Sequence, residues 1–280
     1  GSPTNPIYNP GIIAKGYLDN LGYPLRDINE VRDESKTITN RIMGDLSYTI
    51  IPGLSIKLGG VYERSITNTN HYASENSSEI KQLVNRYSEV GTDGVIKFNL
   101  PKGGYNTSKI GNITAYTIRG QMNYDKMLGQ HHAVKVIAGG EVRKIRAELN
   151  GFASFGYNEQ SLLQQPVDYN RILTGSWSNL SFPPVGIAPL SYEDLFEKTF
   201  SDDRYVSAYI NGVYTYRSKF SFSGSIRIDQ SNLFGTDPKY RYKPLWSLGA
   251  AWNVDREGFM ADVGWLDLLK IRISKGLNGN

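Results

Sequence analysis

The sequence predicts an all-β chain, part of a large antiparallel transmembrane β-barrel, and three observations lead to that class. Apolar and polar residues alternate with a period of two in one stretch after another. The stretches are joined in turn by very short connections and by connections far beyond the roughly 12 to 15 residues that a compact domain usually tolerates without structure. The composition, with 29 Gly, 19 Tyr, 10 Phe and 4 Trp but only 4 Met among 280 residues, suits strands edged by aromatic rings. No window approaches the roughly 20 apolar residues of a spanning helix, and the mean hydropathy is −0.40. Barrel strands escape that test, because each needs only about 9 to 11 residues and shows alternate side chains to lipid and lumen.

The first strand runs from Arg41 to Ile50, with Ile42, Gly44, Leu46, Tyr48 and Ile50 against Arg41, Met43, Asp45, Ser47 and Thr49. Pro52-Gly53 supplies a tight turn, after which Leu54, Ile56, Leu58, Gly60 and Tyr62 alternate with Ser55, Lys57, Gly59, Val61 and Glu63. A second hairpin sets Tyr116, Ile118, Gly120, Met122 and Tyr124 on one face and turns at Gly129-Gln130-His131. It returns through Val134, Val136, Ala138, Gly140 and Val142. A third joins Val206 through Tyr216 to Phe220 through Ile228 across Arg217-Ser218-Lys219. Two further strands follow at Trp246 to Val254 and Leu269 to Ile273, giving eight in all.

The alternation assigns Leu46, Leu58, Ile118, Val136, Ile210 and Ile226 to lipid, and Asp45, Lys57, Arg119, Lys135, Asn211 and Arg227 to the lumen. Tyr214, Tyr216, Phe220 and Phe222 flank one turn, as rings do at a membrane–water boundary. Connections 64–115 and 144–204 are read as long extracellular loops, and the tight turns as periplasmic. A soluble β-sandwich would also alternate, but with shorter loops and a closed core.

Several functions are excluded. A formal charge of +4, from 31 basic and 27 acidic residues, is too slight to imply a nucleic-acid partner. The absence of cysteine removes disulfides, thiolate metal sites and cysteine nucleophiles. His131-His132 would face opposite sides of a strand, and no third ligand stands at suitable spacing. Asp202-Asp203 is consecutive and so does not converge on one substrate, and Lys102-Gly103-Gly104 lacks the rest of a phosphate loop. No catalytic residue, metal site or cofactor is expected. Gly1-Ser2-Pro3 opens a polar, turn-rich stretch without a basic or apolar leader.

The long connections carry the helical patterns. Ser78 is placed to cap a helix bearing Ile80, Leu83, Val84 and Tyr87 on one side, and Ser191 with Asp194 approximates a capping box. Both read as loop stiffeners. Asn106, Tyr157, Tyr169 and Trp177, amide and aromatic side chains on the loops, are the candidate substrate contacts.

Toward the C-terminus the chain resembles the SusC/RagA family of TonB-dependent outer-membrane transporters. The residues that carry the resemblance are Ile226-Arg227-Ile228-Asp229-Gln230-Ser231-Asn232-Leu233-Phe234-Gly235, Tyr240-Arg241-Tyr242, Trp246 to Trp252, Glu257-Gly258-Phe259-Met260 and Leu269 to Asn280. Thr39 to Gly44, Tyr116 to Tyr124 and Phe155-Gly156-Tyr157 are similar to barrel segments of that family. Lys275 departs from it, standing where an aromatic is usual. The resemblance implies an integral protein of the Gram-negative outer membrane, with a barrel of roughly 22 strands around a plug. Residues 1–280 then form a partial barrel domain of about eight strands, without the plug or the C-terminal strands. It further implies TonB-energised import of an oligosaccharide or peptide with a SusD-like surface lipoprotein, contact with the TonB complex through missing N-terminal parts, and a lipid-bilayer environment. A TonB-dependent siderophore or cobalamin receptor, and a soluble β-rich carbohydrate-binding module, are the alternatives.

Overall fold

The computed structural model describes residues 11, 13–22, 24–174, 190–233, 243–261 and 263–278. Eight strands form one sheet in strict chain order: β1 (Val31–Ile51), β2 (Leu54–Ala73), β5 (Gly104–Leu128), β6 (His132–Tyr157), β7 (Phe196–Tyr216), β8 (Phe220–Ser231), β9 (Leu245–Asn253) and β10 (Lys270–Leu277). Two short strands, β3 (Ser88–Val90) and β4 (Ile96–Phe98), pair separately. Four helices are described: α1 (Pro24–Asp27), α2 (Ser78–Arg86), α3 (Tyr169–Thr174) and α4 (Tyr192–Leu195). The eight strands read from the sequence are thus the eight strands of the sheet, and the meander is that of a barrel wall.

The strands are much longer than their hydropathy suggests. On the loop side β1 begins at Val31 rather than Arg41 and β2 runs on to Ala73 rather than Glu63, through polar sequence, and the connections shrink from 64–115 to 74–103 and from 144–204 to 158–195. The reason lies in the side chains. Beyond the apolar stretch both faces are polar, so the period-two signal vanishes while pairing continues. Cross-strand hydroxyls bond at Ser35–Thr69 (3.3 Å), Thr37–Thr67 (2.9 Å) and Thr39–Ser65 (2.9 Å), and β-branched threonine favours extended backbone. The connection from 254 to 269 also breaks the short-turn rule, since it holds two 3-10 turns, Val254–Arg256 and Gly258–Met260.

Two compact units are distinguished. One comprises Asn40–Arg64, Ile113–Arg146 and Ser201–Asn280. Its strand register sets apolar residues opposite one another, Ile210 against Ile226, Tyr214 against Phe222 and Trp252 against Ile271. The apolar side chains are open to their surroundings, with Leu46 at 75%, Ile118 at 60% and Ile273 at 75% exposure. Lys275, opposite Leu248, falls in this apolar row. The other parity is polar and cross-linked by Arg119–Glu141 (2.5 Å), Lys135–Asp125 (2.8 Å) and Ser225–Ser247 (2.6 Å), with Arg227–Asp229 (2.8 Å) paired along β8. At the β1–β2 turn Gly53 has φ +90°, and a Cβ there would stand 2.6 Å from the Asp125 carbonyl oxygen. Only glycine fits both demands.

The other unit comprises Gly1–Thr39, Ser65–Asn112 and Ala147–Phe200 and holds the buried core. Ile80, Leu83, Val84 and Tyr87 pack with Leu100, Ala153, Phe155, Ile172 and Leu195. The cap of α2 is Ser77, one residue before the expected Ser78. Ser77 keeps extended backbone and accepts the Ile80 amide (3.3 Å), whereas Ser78 is already helical and donates its hydroxyl to Asp27 (2.7 Å). The Ser191–Asp194 capping box forms in both directions.

Candidate functional site

The loop-side ends of β1, β2, β5 and β6 enclose a cavity of about 610 Å³. Arg32 and Glu34 enter from β1, Asn70 and Tyr72 from β2, and Asn106 and Ser108 from β5. Phe152, Ser154 and Tyr157 enter from β6, and the turn that follows closes one side with Glu159, Leu162, Leu163 and Gln164. These strand residues are even-numbered except Tyr157. Gly156, at φ +60°, interrupts the alternation and brings Tyr157 to the lining. The turn is held by Asn158, whose side-chain oxygen accepts the amides of Gln160 (3.0 Å) and Ser161 (2.9 Å).

The cavity's single cation, Arg32, is paired with both of its carboxylates, Glu34 and Glu159, so the lining carries one net negative charge. Arg32 bonds Glu159 and lies 2.8 Å from Glu34, and Glu159, through that bond first, pushes the guanidinium pKa up. Arg32 also sits 5.5 Å above the Tyr72 ring, which meets Tyr157 edge-on at 6.0 Å. Burial, with Glu159 adding, pushes the Tyr72 phenol up, so it is neutral at ordinary pH. The lining therefore offers rings, amides and hydroxyls and no unneutralised cation.

The odd-numbered face of the same strands carries a second cluster. His71 is bonded by Nδ1 to Asp33 (2.7 Å) and by Nε2 to Glu79 of α2 (2.8 Å), and its ring meets Tyr105 edge-on at 5.9 Å. This part of β2 lies beyond the stretch expected to span the membrane. Burial works against protonating His71, but the two carboxylate bonds outweigh it and the pKa is raised. The Tyr105 phenol, buried against Phe155 at 5.1 Å, is pushed up to about 12, burial being the main cause.

Of the four candidate contacts, Asn106 and Tyr157 are brought together in the cavity. Tyr169 packs against the core, its ring 4.8 Å from Phe196 and its hydroxyl 3.5 Å from the Ala153 carbonyl. Trp177 lies outside the described residues. Sequence reasoning missed Arg32, Tyr72 and Glu159, whose convergence depends on strand extensions without a hydropathy signal. Among the described residues no group of three His, Asp or Glu side chains could hold a metal ion. His132 instead bonds the Tyr214 hydroxyl (2.6 Å) and stacks on its ring. Asp202 takes Arg204 (2.5 Å) and Lys144 (3.5 Å) as partners.

An exposed apolar face, an ion-paired opposite face and a meander of long strands define a stretch of transmembrane β-barrel wall. No helix among the described residues is long and apolar enough to cross a membrane. The chain is 22% identical over 282 residues, 99% of its length, to TonB-dependent receptor P26 of Formosa agariphila. It is 26% identical over 264 residues, 94% of its length, to TonB-dependent receptor P3 of the same organism. It spans about a quarter of the length of the first and 22% of the second. No family model matches the chain. The RagAB peptide transporter superposes on 89% of the chain and 23% of its own, with a TM-score of 0.63 and 17% identity. The RagAB peptide importer in its closed-closed state gives 0.64 and 18% over the same share. That likeness shows the fold, a stretch of β-barrel wall, and the curated relatives agree with the resemblance read from the sequence: nearly the whole chain is similar to a part of TonB-dependent receptors.

Proposed function

We propose that the chain supplies about eight wall strands of a TonB-energised outer-membrane importer of the SusC/RagA type, whose plug and remaining strands lie outside residues 1–280. The observation that carries this is the alignment of nearly the whole chain with TonB-dependent receptors, on a sheet whose two faces are sorted for lipid and for water. The role is binding and gated passage of an oligosaccharide or peptide delivered by a SusD-like lipoprotein, without bond cleavage. Contact with cargo or lipoprotein is assigned to the loops, with Tyr169 and Trp177 of the 158–195 connection as candidates. Asn106 and Tyr157, which line the cavity at the loop-side strand ends, are candidates for the same contact.

The test is growth and labelled-substrate uptake by the native bacterium lacking the full-length gene, together with affinity capture of the tagged protein. The expected result is loss of growth on one class of oligosaccharide or peptide, with a surface lipoprotein in the captured complex. Unchanged growth on every such nutrient, or loss of growth on an iron chelate alone with no lipoprotein captured, overturns the assignment.

A further inference from the structure

We propose that the connection between β9 and β10, residues 254–269, lies in the head-group boundary of the membrane leaflet on the side of the tight turns, anchored there by Phe259, Trp265 and Leu268. This rests on the reading of the chain as barrel wall, and not on what the importer carries.

The first argument is exposure at the turn end of the unit that contains this connection. There Gly129-Gln130-His131 and Arg217-Ser218-Lys219 reverse the chain with small and polar residues. The 254–269 connection instead leaves Phe259 67%, Trp265 82% and Leu268 71% exposed. Large apolar side chains gathered on one connection mark a surface that something apolar covers. Tryptophan favours a membrane–water boundary, because its ring is apolar and its indole N–H is polar.

The second argument is where the connection is tied. Trp252 belongs to the apolar parity of β9: it opposes Phe220 and Ile271 in register and shares its side with the exposed Leu248. Its indole N–H donates to Glu257 (3.1 Å), and the Lys219 ammonium lies 2.7 Å from the other oxygen of that carboxylate. The Trp252 ring is itself stacked on Phe220 at 6.1 Å. Glu257 therefore pins the start of the connection on the apolar side of the sheet, and Phe259 follows two residues later in the second 3-10 turn. At the far end the Leu269 carbonyl accepts the amides of Val254 (2.8 Å) and Asp255 (3.3 Å), and the chain runs on into the apolar row of Ile271 and Ile273. Both ends of the connection are thus set at the rim of the lipid-facing surface.

The third argument is charge. Residues 254–269 hold Asp255, Glu257, Asp262 and Asp267 against Arg256 alone, so attraction to acidic lipid does not hold the segment. Asp255 is turned to the Leu269 amide (3.4 Å) and Glu257 to Lys219 and Trp252. What remains outward is ring and aliphatic surface, which fits the uncharged boundary between head groups and acyl chains.

The experiment is nitroxide scanning of the full-length protein in phosphatidylethanolamine–phosphatidylglycerol vesicles, with Phe259→Cys, Trp265→Cys and Leu268→Cys labelled one at a time and any cysteine outside residues 1–280 replaced by serine. Gln130→Cys, in the β5–β6 turn, is the water reference, and Ile118→Cys, on the apolar face, is the lipid reference. Collision with oxygen, which concentrates in lipid, and with a water-soluble nickel chelate gives the depth of each label. Labels at 259, 265 and 268 are expected about 5 to 10 Å into the boundary, between the two references, with nickel access lost relative to position 130. Their depth should not change when phosphatidylglycerol is left out. All three side chains are open, so each label reports without loss of packing. Nickel access at 259 and 265 equal to that at 130 puts the connection in water and overturns the proposal. Low access to both reagents, the mark of cover by protein, also overturns it, as does a depth that depends on phosphatidylglycerol. Water access at 118 would bring down the barrel-wall reading together with the proposal, whereas lipid access at 118 with water access at 265 refutes the proposal alone.

Discussion

Gly139 of β6 offers a sharp test of how this wall is held together. A Cβ at that position would stand 2.7 Å from the Gly120 carbonyl oxygen and 2.7 Å from the Tyr209 hydroxyl, inside any real contact distance. The cause is Tyr209 of β7, which lies across the glycine to donate a 2.9 Å hydrogen bond to Gln121 of β5. Gln121 in turn donates to Asn123 at 2.6 Å, so one ring ties three strands to a polar row. Gly139→Ala must displace the ring and press on backbone. Overpacking of this kind costs about 1 to 3 kcal/mol, and losing the Tyr209 bond adds about 0.5 to 1.5 kcal/mol. The partly solvated position of the bond places its share at the lower end, for a total of about 2 to 3 kcal/mol. Urea unfolding of the full-length protein in lipid vesicles, followed by the mobility of the folded barrel on unheated SDS gels, measures it. A double-mutant cycle separates the two clashes, because Tyr209→Ala relieves the ring but leaves Gly120. The reasoning fails if Gly139→Ala stays within about 0.5 kcal/mol of wild type, or costs the same with and without Tyr209.

Three other outcomes follow from the same structure. Ile118→Arg, on the apolar face, should destabilise the barrel by about 2 to 4 kcal/mol, while substituting its neighbour Arg119 by Lys should cost under about 1 kcal/mol; the same urea titration reads both. His71 has a raised pKa, so the stability it lends α2 is full below the ordinary histidine pKa of about 6.5 and is lost as pH rises through the raised value. Hydrogen exchange of α2 amides should therefore quicken between pH 6 and pH 9 beyond the intrinsic rate in wild type, and His71→Gln should abolish that excess. Arg217 and Ser218 hold φ of +50° and +56° in the β7–β8 turn, a region that costs non-glycine residues about 1 to 2 kcal/mol each. Ser218→Gly should raise the unfolding midpoint, since the Asn253 bond to the Ser218 carbonyl (2.7 Å) needs no side chain.

What the sequence could disclose was governed by contrast between faces. Where Leu46 alternates with Asp45 or Ile118 with Arg119, one face meets lipid and the other water, and strand, register and orientation can be read directly. Past Thr39 toward Val31, and past Arg64 toward Ala73, both faces meet polar surroundings and the alternation carries no hydropathy. Hydroxyl ladders keep those stretches extended, but nothing in their polarity separates them from a loop. The same blindness governed the candidate site. The sequence leaves Asn106 in a long connection, where parity has no meaning. Once β5 begins at Gly104, its even number alone sends it to the face of Ile110. Tyr157 was beyond that rule too, because the positive φ of Gly156 breaks the alternation just before it. The buried core tells the converse story. Ile80, Leu83, Val84 and Tyr87 showed a helical stripe at once, yet what the stripe packs on, Phe155 and Leu195, comes from segments with no local signal of convergence. α2 is therefore a structural member of the loop region and not a decoration on it. A function that requires loops to hold a fixed shape above a passage needs such a core, whereas a tether would not.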